Sequence, residues 1–174
     1  NPRKIGLDGE QTFAGKGVSY CATCDGAFFK NQEIIVVGGG DSAMEEATFL
    51  TKFASTVHIV HRRDKFRASK IMQERALSNE KIKVHFNCTV EDIQGDQKFQ
   101  KVVLKNVKTD EKVTLEAGGL FVAIGHEPNS KILEGQVELN ENGYVVLKNN
   151  TETTIPGVFC AGDVHDHRYR QAVT

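Results

Sequence analysis

The sequence predicts an α/β fold in three layers, built on a parallel sheet. An almost wholly apolar strand pattern at residues 33–37 runs into the glycine turn 38–40. An apolar stripe at helical spacing follows from Ala43 to Ala54, and a second apolar strand pattern covers residues 56–60. Strand, glycine turn, helix and strand in this order form a βαβ unit, the core of a Rossmann-like dinucleotide-binding domain.

The remaining elements are expected to extend this unit along the chain. In order, they are helix 68–77, strand 82–86, a β-hairpin insert formed by 102–107 and 113–115, strand 120–124, and short strands 144–147 and 158–161. Residues 1–16 are expected to form a linker, and residues 117–119 a hinge or boundary. The sequence therefore predicts two domains, residues 1–120 and residues 121–174.

The glycine turn carries a dinucleotide fingerprint. Gly38 permits the tight turn, Gly40 lets the backbone approach a pyrophosphate, and the small Ala43 allows close helix packing with the helix N-terminus facing the phosphates. We therefore predict a cofactor-binding segment that also includes Asp41 and Ser42. A purely structural turn without a nucleotide is the alternative.

A basic cluster stands where the ribose of the nucleotide is expected. An NAD-binding protein presents Asp or Glu about twenty residues past the glycines, whereas this chain presents His61, Arg62 and Arg63, with Arg67 shortly after. Guanidinium groups grip a 2'-phosphate through bidentate bonds, and a carboxylate would repel it. The sequence therefore predicts NADPH as the cofactor. A solvated basic cluster beside a helix is the alternative.

Cys21 and Cys24 form a Cys-x-x-Cys pair, which places two sulfurs within disulfide reach. Half of a zinc site is the alternative, but zinc needs four ligands, and the other two cysteines, Cys88 and Cys160, are lone residues in apolar runs. No metal is therefore predicted. Asp25 follows the pair, and both a proton shuttle and a simple turn residue are compatible with its position.

Composition excludes several other classes of protein. The 174 residues are 39% hydrophobic, enough for one well-buried core, and 22 basic residues nearly balance 23 acidic ones. A basic tract interleaved with aromatic residues would predict nucleic-acid binding, and the sequence has none. It also has no apolar run of membrane-spanning length. Four cysteines with one close pair suit a reducing compartment, so a cytoplasmic protein is expected. His165 and His167 are expected to be surface residues.

The motifs together resemble one known family, the low-molecular-weight thioredoxin reductases. The similarity runs from end to end and is carried by residues 21–26, 38–43, 61–68, 123–129 and 157–163. The resemblance implies electron transfer from NADPH through FAD and the disulfide to thioredoxin, in a homodimer. It also implies that Cys24 faces the flavin, that Cys21 exchanges with thioredoxin, and that Asp25 protonates the reduced pair.

The resemblance further implies cofactor contacts in the last third of the chain, at Ile124, Gly125, Gly162, Asp163, Arg170, Gln171 and Ala172. Family members carry a second, N-terminal glycine fingerprint that holds FAD, and only one fingerprint occurs here. We therefore expect an NADPH domain plus part of an FAD domain, inactive in isolation. Because one rigid domain carries both disulfide and nucleotide, it is expected to rotate between two states in the complete enzyme.

Two other functions fit parts of the sequence. The flavoprotein subunit of a peroxide-reducing system resembles the chain at Cys-x-x-Cys, but it prefers NADH and lacks the basic cluster, so Arg62 and Arg63 argue against it. An NADPH-binding module without catalysis of its own comes from a different class. A flavin absorbance spectrum would distinguish that module from a flavoenzyme.

Overall fold

The computed structural model describes residues 1–167, which fall into two compact units. One unit is Pro2–Gly125, and the other combines Asn1 with the described residues from His126. The strands are β1 (Val18–Ser19), β2 (Glu33–Val37), β3 (Thr56–His61), β4 (Ile82–Phe86), β5 (Cys88–Gly95), β6 (Phe99–Asn106), β7 (Lys112–Glu116) and β8 (Gly119–Val122). The α-helices are α1 (Asp8–Thr12), α2 (Ala22–Asp25), α3 (Asp41–Leu50) and α4 (Lys70–Leu77), and 3-10 turns cover Gly26–Phe29 and Lys131–Leu133. No helix in the described part of the chain is long and apolar enough to cross a membrane.

The first unit is built on a five-stranded parallel sheet in the order β1-β8-β2-β3-β4. β2 and β3 lie inside the sheet, and both of their faces are covered, which explains the continuous apolar run Ile34-Ile35-Val36. Because all five strands are parallel, their carboxyl ends meet at one edge. The loops that follow β1, β2, β3 and β8 therefore share that edge.

Each face of this sheet has its own apolar core. Met44 and Leu50 of α3 pack with Ile34 on the helical face. On the opposite face the antiparallel sheet β5-β6-β7 contributes Phe99 and Val102 to a second core. Helices, parallel sheet and antiparallel sheet form three layers, so the predicted Rossmann-like α/β fold is confirmed.

The predicted β-hairpin insert corresponds to β6 and β7, but the insert contains a third strand that the sequence did not predict. β5 starts two residues after β4 and pairs with β6. Its pairing is irregular between Val90 and Asp92, so the alternation of apolar and polar residues is interrupted there. The predicted N-terminal linker also differs from the structure, because it contains the short helix α1.

The first unit extends past the boundary predicted at residue 120. β8 lies between β1 and β2, and beyond its end the Ala123 amide donates to the Val37 carbonyl at 2.8 Å. Residues up to Gly125 therefore belong to the sheet unit rather than to the second one. The strand predicted at 120–124 lies inside the first unit. The two units divide after Gly125 and not at residues 117–119, where a hinge or boundary was predicted.

The second unit does not contain the two short strands predicted at 144–147 and 158–161. Only isolated bridges form there, joining Leu139 to Val145 and Glu152 to Phe159. The Val145 amide donates to Val164, whereas the Val146 amide donates to Glu138. Successive amides thus take partners from different segments, and no continuous ladder develops.

Candidate functional site

The paired cysteines are joined in a disulfide at the edge where β1 ends. Cys21 has extended backbone and is the N-cap of α2, while Cys24 lies within that helix, at a Cα–Cα distance of 5.3 Å. Cys21 Sγ accepts a hydrogen bond from the Cys24 amide at 3.2 Å. Cys21 is half-buried and Cys24 is exposed. The predicted pairing is therefore confirmed, and one of its sulfurs belongs to an exposed residue.

Asp25 is connected to the cysteines through Ser19, a residue that sequence reasoning missed. The buried Ser19 hydroxyl donates to Asp25 Oδ2 at 2.7 Å and accepts from the Cys21 amide at 3.1 Å. The Asp25 side chain does not cap the 3-10 turn that follows it. Its carboxylate is thus bound by Ser19 rather than by the backbone of the turn, and its role as a proton shuttle stays a prediction. Serine is a common residue, and its position two residues before the Cys-x-x-Cys motif does not by itself indicate a role.

The 3-10 turn after α2 packs tightly on the domain through two of its residues. A Cβ at Gly26 would lie 2.9 Å from Leu50 Cδ2, so only glycine fits there without displacing its neighbours. Phe29 packs edge-on against the buried Phe121, with ring centroids 5.4 Å apart. Phe28, in contrast to Phe29, is 76% exposed.

Tyr20, directly before Cys21, anchors the redox segment to the N-terminal segment of the unit. Its hydroxyl donates to Glu10 Oε1 at 3.0 Å, and the same buried carboxylate accepts from the Ile5 and Gly6 amides. Burial, followed by the Glu10 hydrogen bond and charge, raises the pKa of Tyr20 to about 12. The phenol therefore stays protonated and keeps donating at all physiological pH values.

The glycine turn (residues 38–40) is closely packed at its start and open at its end. A Cβ at Gly38 would lie 2.3 Å from the Ala123 carbonyl oxygen and 2.7 Å from Ala43 Cβ. A Cβ at Gly40 would meet nothing within 4 Å. Gly38 and Ala43 are thus small because α3 and the end of β8 approach closely, whereas Gly40 faces open space.

The N-terminus of α3 faces the same open space. Gly40 is its N-cap and provides no side chain to satisfy the first amides of the helix, which include those of Asp41 and Ser42. The Asp41 carboxylate accepts from the amide and the hydroxyl of Ser69, at 2.7 and 3.0 Å. Asp41, predicted as a cofactor-binding residue, is therefore engaged through its side chain by a neighbouring loop.

That loop, residues 62–69, holds the basic cluster and is called the arginine loop below. Arg62, Arg63 and Arg67 are exposed, and none forms an ion pair with another residue in the range 1–167. The Gly39 carbonyl accepts from the amides of Arg67, at 2.7 Å, and Ala68, at 3.2 Å. The loop thus folds back onto the glycine turn with three unpaired guanidinium groups beside it.

His61 differs from its three basic neighbours. It is only 6% exposed, and its Nε2–H donates to the Lys65 carbonyl at 3.0 Å. Burial lowers the pKa of His61, and the charges of Arg67, Arg63 and Arg62 lower it further, although the bond to Lys65 opposes this. The imidazole is therefore neutral at pH 7 and is not a fourth cation of the cluster.

The other predicted cofactor residues lie in different places. Ile124 and Gly125 follow β8 and thus share the sheet edge with the glycine turn; Gly125 accepts from the Arg3 amide at 2.9 Å. In the second unit, Gly162 accepts from two amides in a turn beside the exposed Asp163, and their assignment to FAD remains a prediction from the family resemblance. The other predicted contacts, Arg170, Gln171 and Ala172, lie outside the described residues.

One structural unit thus combines a disulfide, an open glycine turn and a cluster of exposed arginines on a Rossmann-like sheet. This combination defines a class of proteins that bring a dinucleotide and a disulfide together. The family model for pyridine nucleotide-disulphide oxidoreductases matches residues 1–174. The chain belongs to this family.

Known proteins similar to this chain are thioredoxin reductases. The one from Mycolicibacterium smegmatis is 56% identical over 173 residues, which cover 99% of this chain and 56% of that protein. Thioredoxin reductase 2 of Arabidopsis thaliana is 55% identical and is matched over 45% of its length. The solved thioredoxin reductase of Streptococcus pyogenes is 42% identical, with a TM-score of 0.92 over 100% of this chain and 57% of that one. The chain spans about half the length of these relatives.

Proposed function

We propose that this chain supplies the NADPH-binding and disulfide-carrying part of a thioredoxin reductase, an enzyme that passes electrons from NADPH through FAD and the Cys21–Cys24 disulfide to thioredoxin. The observation that carries the proposal is that one compact unit holds both the disulfide and an open glycine turn beside three arginines that have no ion-pair partner among residues 1–167. Residues 126–174, beyond this unit, are proposed to belong to the FAD domain.

The first unit fits a nucleotide with a 2'-phosphate. The open space at Gly40 and the uncapped amides of α3 suit a pyrophosphate. One loop further along the same sheet edge, Arg62, Arg63 and Arg67 present guanidinium groups with no partner among residues 1–167, which suits a doubly charged phosphate. A bound anion would reduce the mutual repulsion of these three charges.

The disulfide chemistry follows from the contacts around it. When bound, NADPH and FAD together supply the electron pair that opens the disulfide. Cleavage of the Sγ–Sγ bond by this pair leaves two thiolates, and two protons complete the dithiol. The Asp25 carboxyl, which is linked through the Ser19 hydroxyl to the Cys21 amide, can deliver one of these protons and take it back later.

Reduction of thioredoxin is then a thiol–disulfide exchange. The Cys21 thiolate attacks the thioredoxin disulfide and forms a mixed disulfide. The Cys24 thiolate then attacks Cys21 Sγ of this mixed disulfide, and the thioredoxin sulfur leaves. This step regenerates the Cys21–Cys24 bond and releases the thioredoxin dithiol. Phe28, exposed four residues after Cys24, offers an apolar contact to such a protein partner.

The family resemblance adds a homodimer and a cytoplasmic location to this proposal. The free thiols of Cys88 and Cys160 suit a reducing compartment.

The experiment that tests the nucleotide assignment is a pair of titrations with NADPH and NADH. Replacing Arg62 or Arg63 by Ala removes a charge-assisted hydrogen bond to the 2'-phosphate, which contributes roughly 1.5 to 3 kcal/mol. We expect NADPH affinity to fall about ten- to a hundredfold. Affinity for NADH, which lacks this phosphate, should barely change.

Arg75→Ala is the matched control, because it removes the same exposed charge from the last turn of α4. It should leave both affinities unchanged. Equal losses for NADPH and NADH in the loop variants would contradict the assignment.

A further inference from the structure

The geometry points to His61 as a positioning residue that ties the glycine turn to the arginine loop and thereby sets the preference for NADPH over NADH. The inference rests on the proposed function and adds a residue whose role is not to carry charge. One buried, neutral ring contacts both the glycine turn and the arginine loop.

The first contact joins the His61 ring to the glycine turn. A Cβ at Gly39 would lie 2.2 Å from His61 Nδ1 and 2.3 Å from Cε1, so the ring occupies the space that any side chain at position 39 would need. The aromatic rings of Phe66 and Phe86 pack around the imidazole, with centroids 5.4 and 6.5 Å away. The ring is thus held against the glycine turn by its aromatic neighbours.

The second contact joins the same ring to the middle of the arginine loop. His61 Nε2 lies 3.0 Å from the carbonyl oxygen of Lys65, which can only accept, so Nε2 carries the proton. Lys65 lies between Arg63 and Arg67. One imidazole therefore fixes the backbone between the arginines relative to the glycine turn.

The end of the arginine loop is fixed to the same turn by independent bonds. Gly39 O accepts from the Arg67 and Ala68 amides, and the Asp41 carboxylate accepts from Ser69. These bonds hold Arg67 and the residues after it. The bond from His61 reaches Lys65 and so acts on the earlier part of the loop, where Arg62 and Arg63 lie.

The protonation state of His61 suits a positioning role. Burial lowers its pKa, and the nearby charges of Arg67, Arg63 and Arg62 lower it further. A neutral ring keeps Nε2 as a donor to Lys65 without adding a fourth positive charge. The ring therefore influences the phosphate through the arginines that it places.

This placement affects the two nucleotides differently. Charge-assisted bidentate bonds require the guanidinium groups at a defined distance and angle from the phosphate. The pyrophosphate is common to both nucleotides, but the 2'-phosphate is present only in NADPH. Loosening the arginine loop relative to the glycine turn should therefore weaken NADPH binding and leave NADH binding nearly unchanged.

A matched pair of amide substitutions tests the inference. In His61→Gln the side-chain nitrogen is as many bonds from Cγ as Nε2 and can still donate to Lys65, whereas in His61→Asn it is one bond short. Losing one hydrogen bond of ordinary strength should reduce NADPH affinity about three- to tenfold in His61→Asn. NADH affinity should change less than about twofold, and His61→Gln should keep NADPH affinity within about twofold of the wild type.

The outcomes separate the inference from the proposed function. If the unmodified chain shows no preference for NADPH, the proposed function fails. If it prefers NADPH and His61→Asn loses affinity for both nucleotides equally, or for neither, the positioning role is overturned. It is also overturned if His61→Gln loses as much NADPH affinity as His61→Asn. Thermal unfolding verifies that each variant folds, and His61→Phe, which keeps a ring but has no donor, replaces the Asn variant if that one unfolds.

Discussion

Cys21 and Cys24 differ from the other two cysteines in the properties that govern thiol reactivity. They are bonded to each other, and Cys24 is exposed. Cys88 and Cys160 are free but half-buried, and burial raises the pKa of both thiols. Because the thiolate is the reactive form, Cys88 and Cys160 should react slowly.

Counting thiols with an aromatic disulfide reagent checks this distinction. The native chain should show two slowly reacting thiols, and chemical reduction should add two that react faster, to give the four cysteines of the sequence. Cys88→Ser should remove one slow thiol and leave the gain on reduction unchanged. Cys24→Ser should abolish that gain. Four accessible thiols before reduction would disprove the disulfide.

Three parallel strands are joined by a row of polar side chains. His58 of β3 is buried, with Nε2 2.8 Å from Glu33 Oε2 of β2 and Nδ1 3.0 Å from His85 Nε2 of β4. Nε2–H of His58 donates to Glu33, and one of the two ring nitrogens in the His58–His85 contact donates to the other. Burial lowers the pKa of His85, and the nearby His58 and Lys83 lower it further. The row thus joins a carboxylate, the His58 ring and the His85 ring, and the lowered pKa keeps the His85 ring neutral at pH 7.

Stability should therefore fall in mild acid. The pKa of His85 lies below its ordinary value of 6.5 in the folded chain, so the unfolded chain takes up the proton first as the pH falls. The stability that depends on the neutral ring is present above pH 6.5 and is lost below it. Urea midpoints at pH 7.5 and 5 should show a smaller loss in His85→Gln, whose uncharged amide can still hydrogen-bond to His58. An identical loss in both proteins would rule out this ring as the cause.

Elements whose signals are local were predictable from the sequence, and elements that depend on distant partners were not. β2, α3 and β3 carry their own apolar pattern and were predicted. β5 was missed because the irregularity between Val90 and Asp92 interrupts its alternation. α1 was missed because Glu10, its buried residue, is charged and gives no apolar signal.

The same division applies to the candidate site. The spacing of the cysteine pair, the glycines and the arginines along the chain was enough to predict them as site residues. The contacts that organise them join residues far apart in sequence, as Asp41 and Ser69 do across 28 positions. The burial of His61 was equally unpredictable, because a histidine beside two arginines gives the same pattern whether it points outward or inward.

On the scale of the whole molecule, the two units differ in how their backbone hydrogen bonds are organised. The first unit contains both sheets and both apolar cores. Among the described residues of the second unit, only isolated bridges and one 3-10 turn occur, with Tyr144 and Val145 as its buried hydrophobic residues. Backbone opening should therefore require less free energy in the second unit.

Hydrogen exchange followed by mass spectrometry tests this difference. Peptides covering β2, β3 and β8 should exchange slowest, and peptides from residues 126–167 should exchange at least about tenfold faster. β7, a regular edge strand with mostly exposed side chains, is the internal comparison and should exchange at an intermediate rate. Equal protection of the two units would contradict the expectation.

The contact between Gly39 and His61 has a consequence for anyone who redesigns this protein. Replacing the arginines by acidic residues looks sufficient to change the preference from NADPH to NADH. A new loop placed on this chain would still lie against the His61 ring. That ring fills the space that a side chain at position 39 would need, so the residues at positions 39 and 61 depend on each other. Positions 39 and 61 are therefore best transplanted together with the loop, as a single cassette.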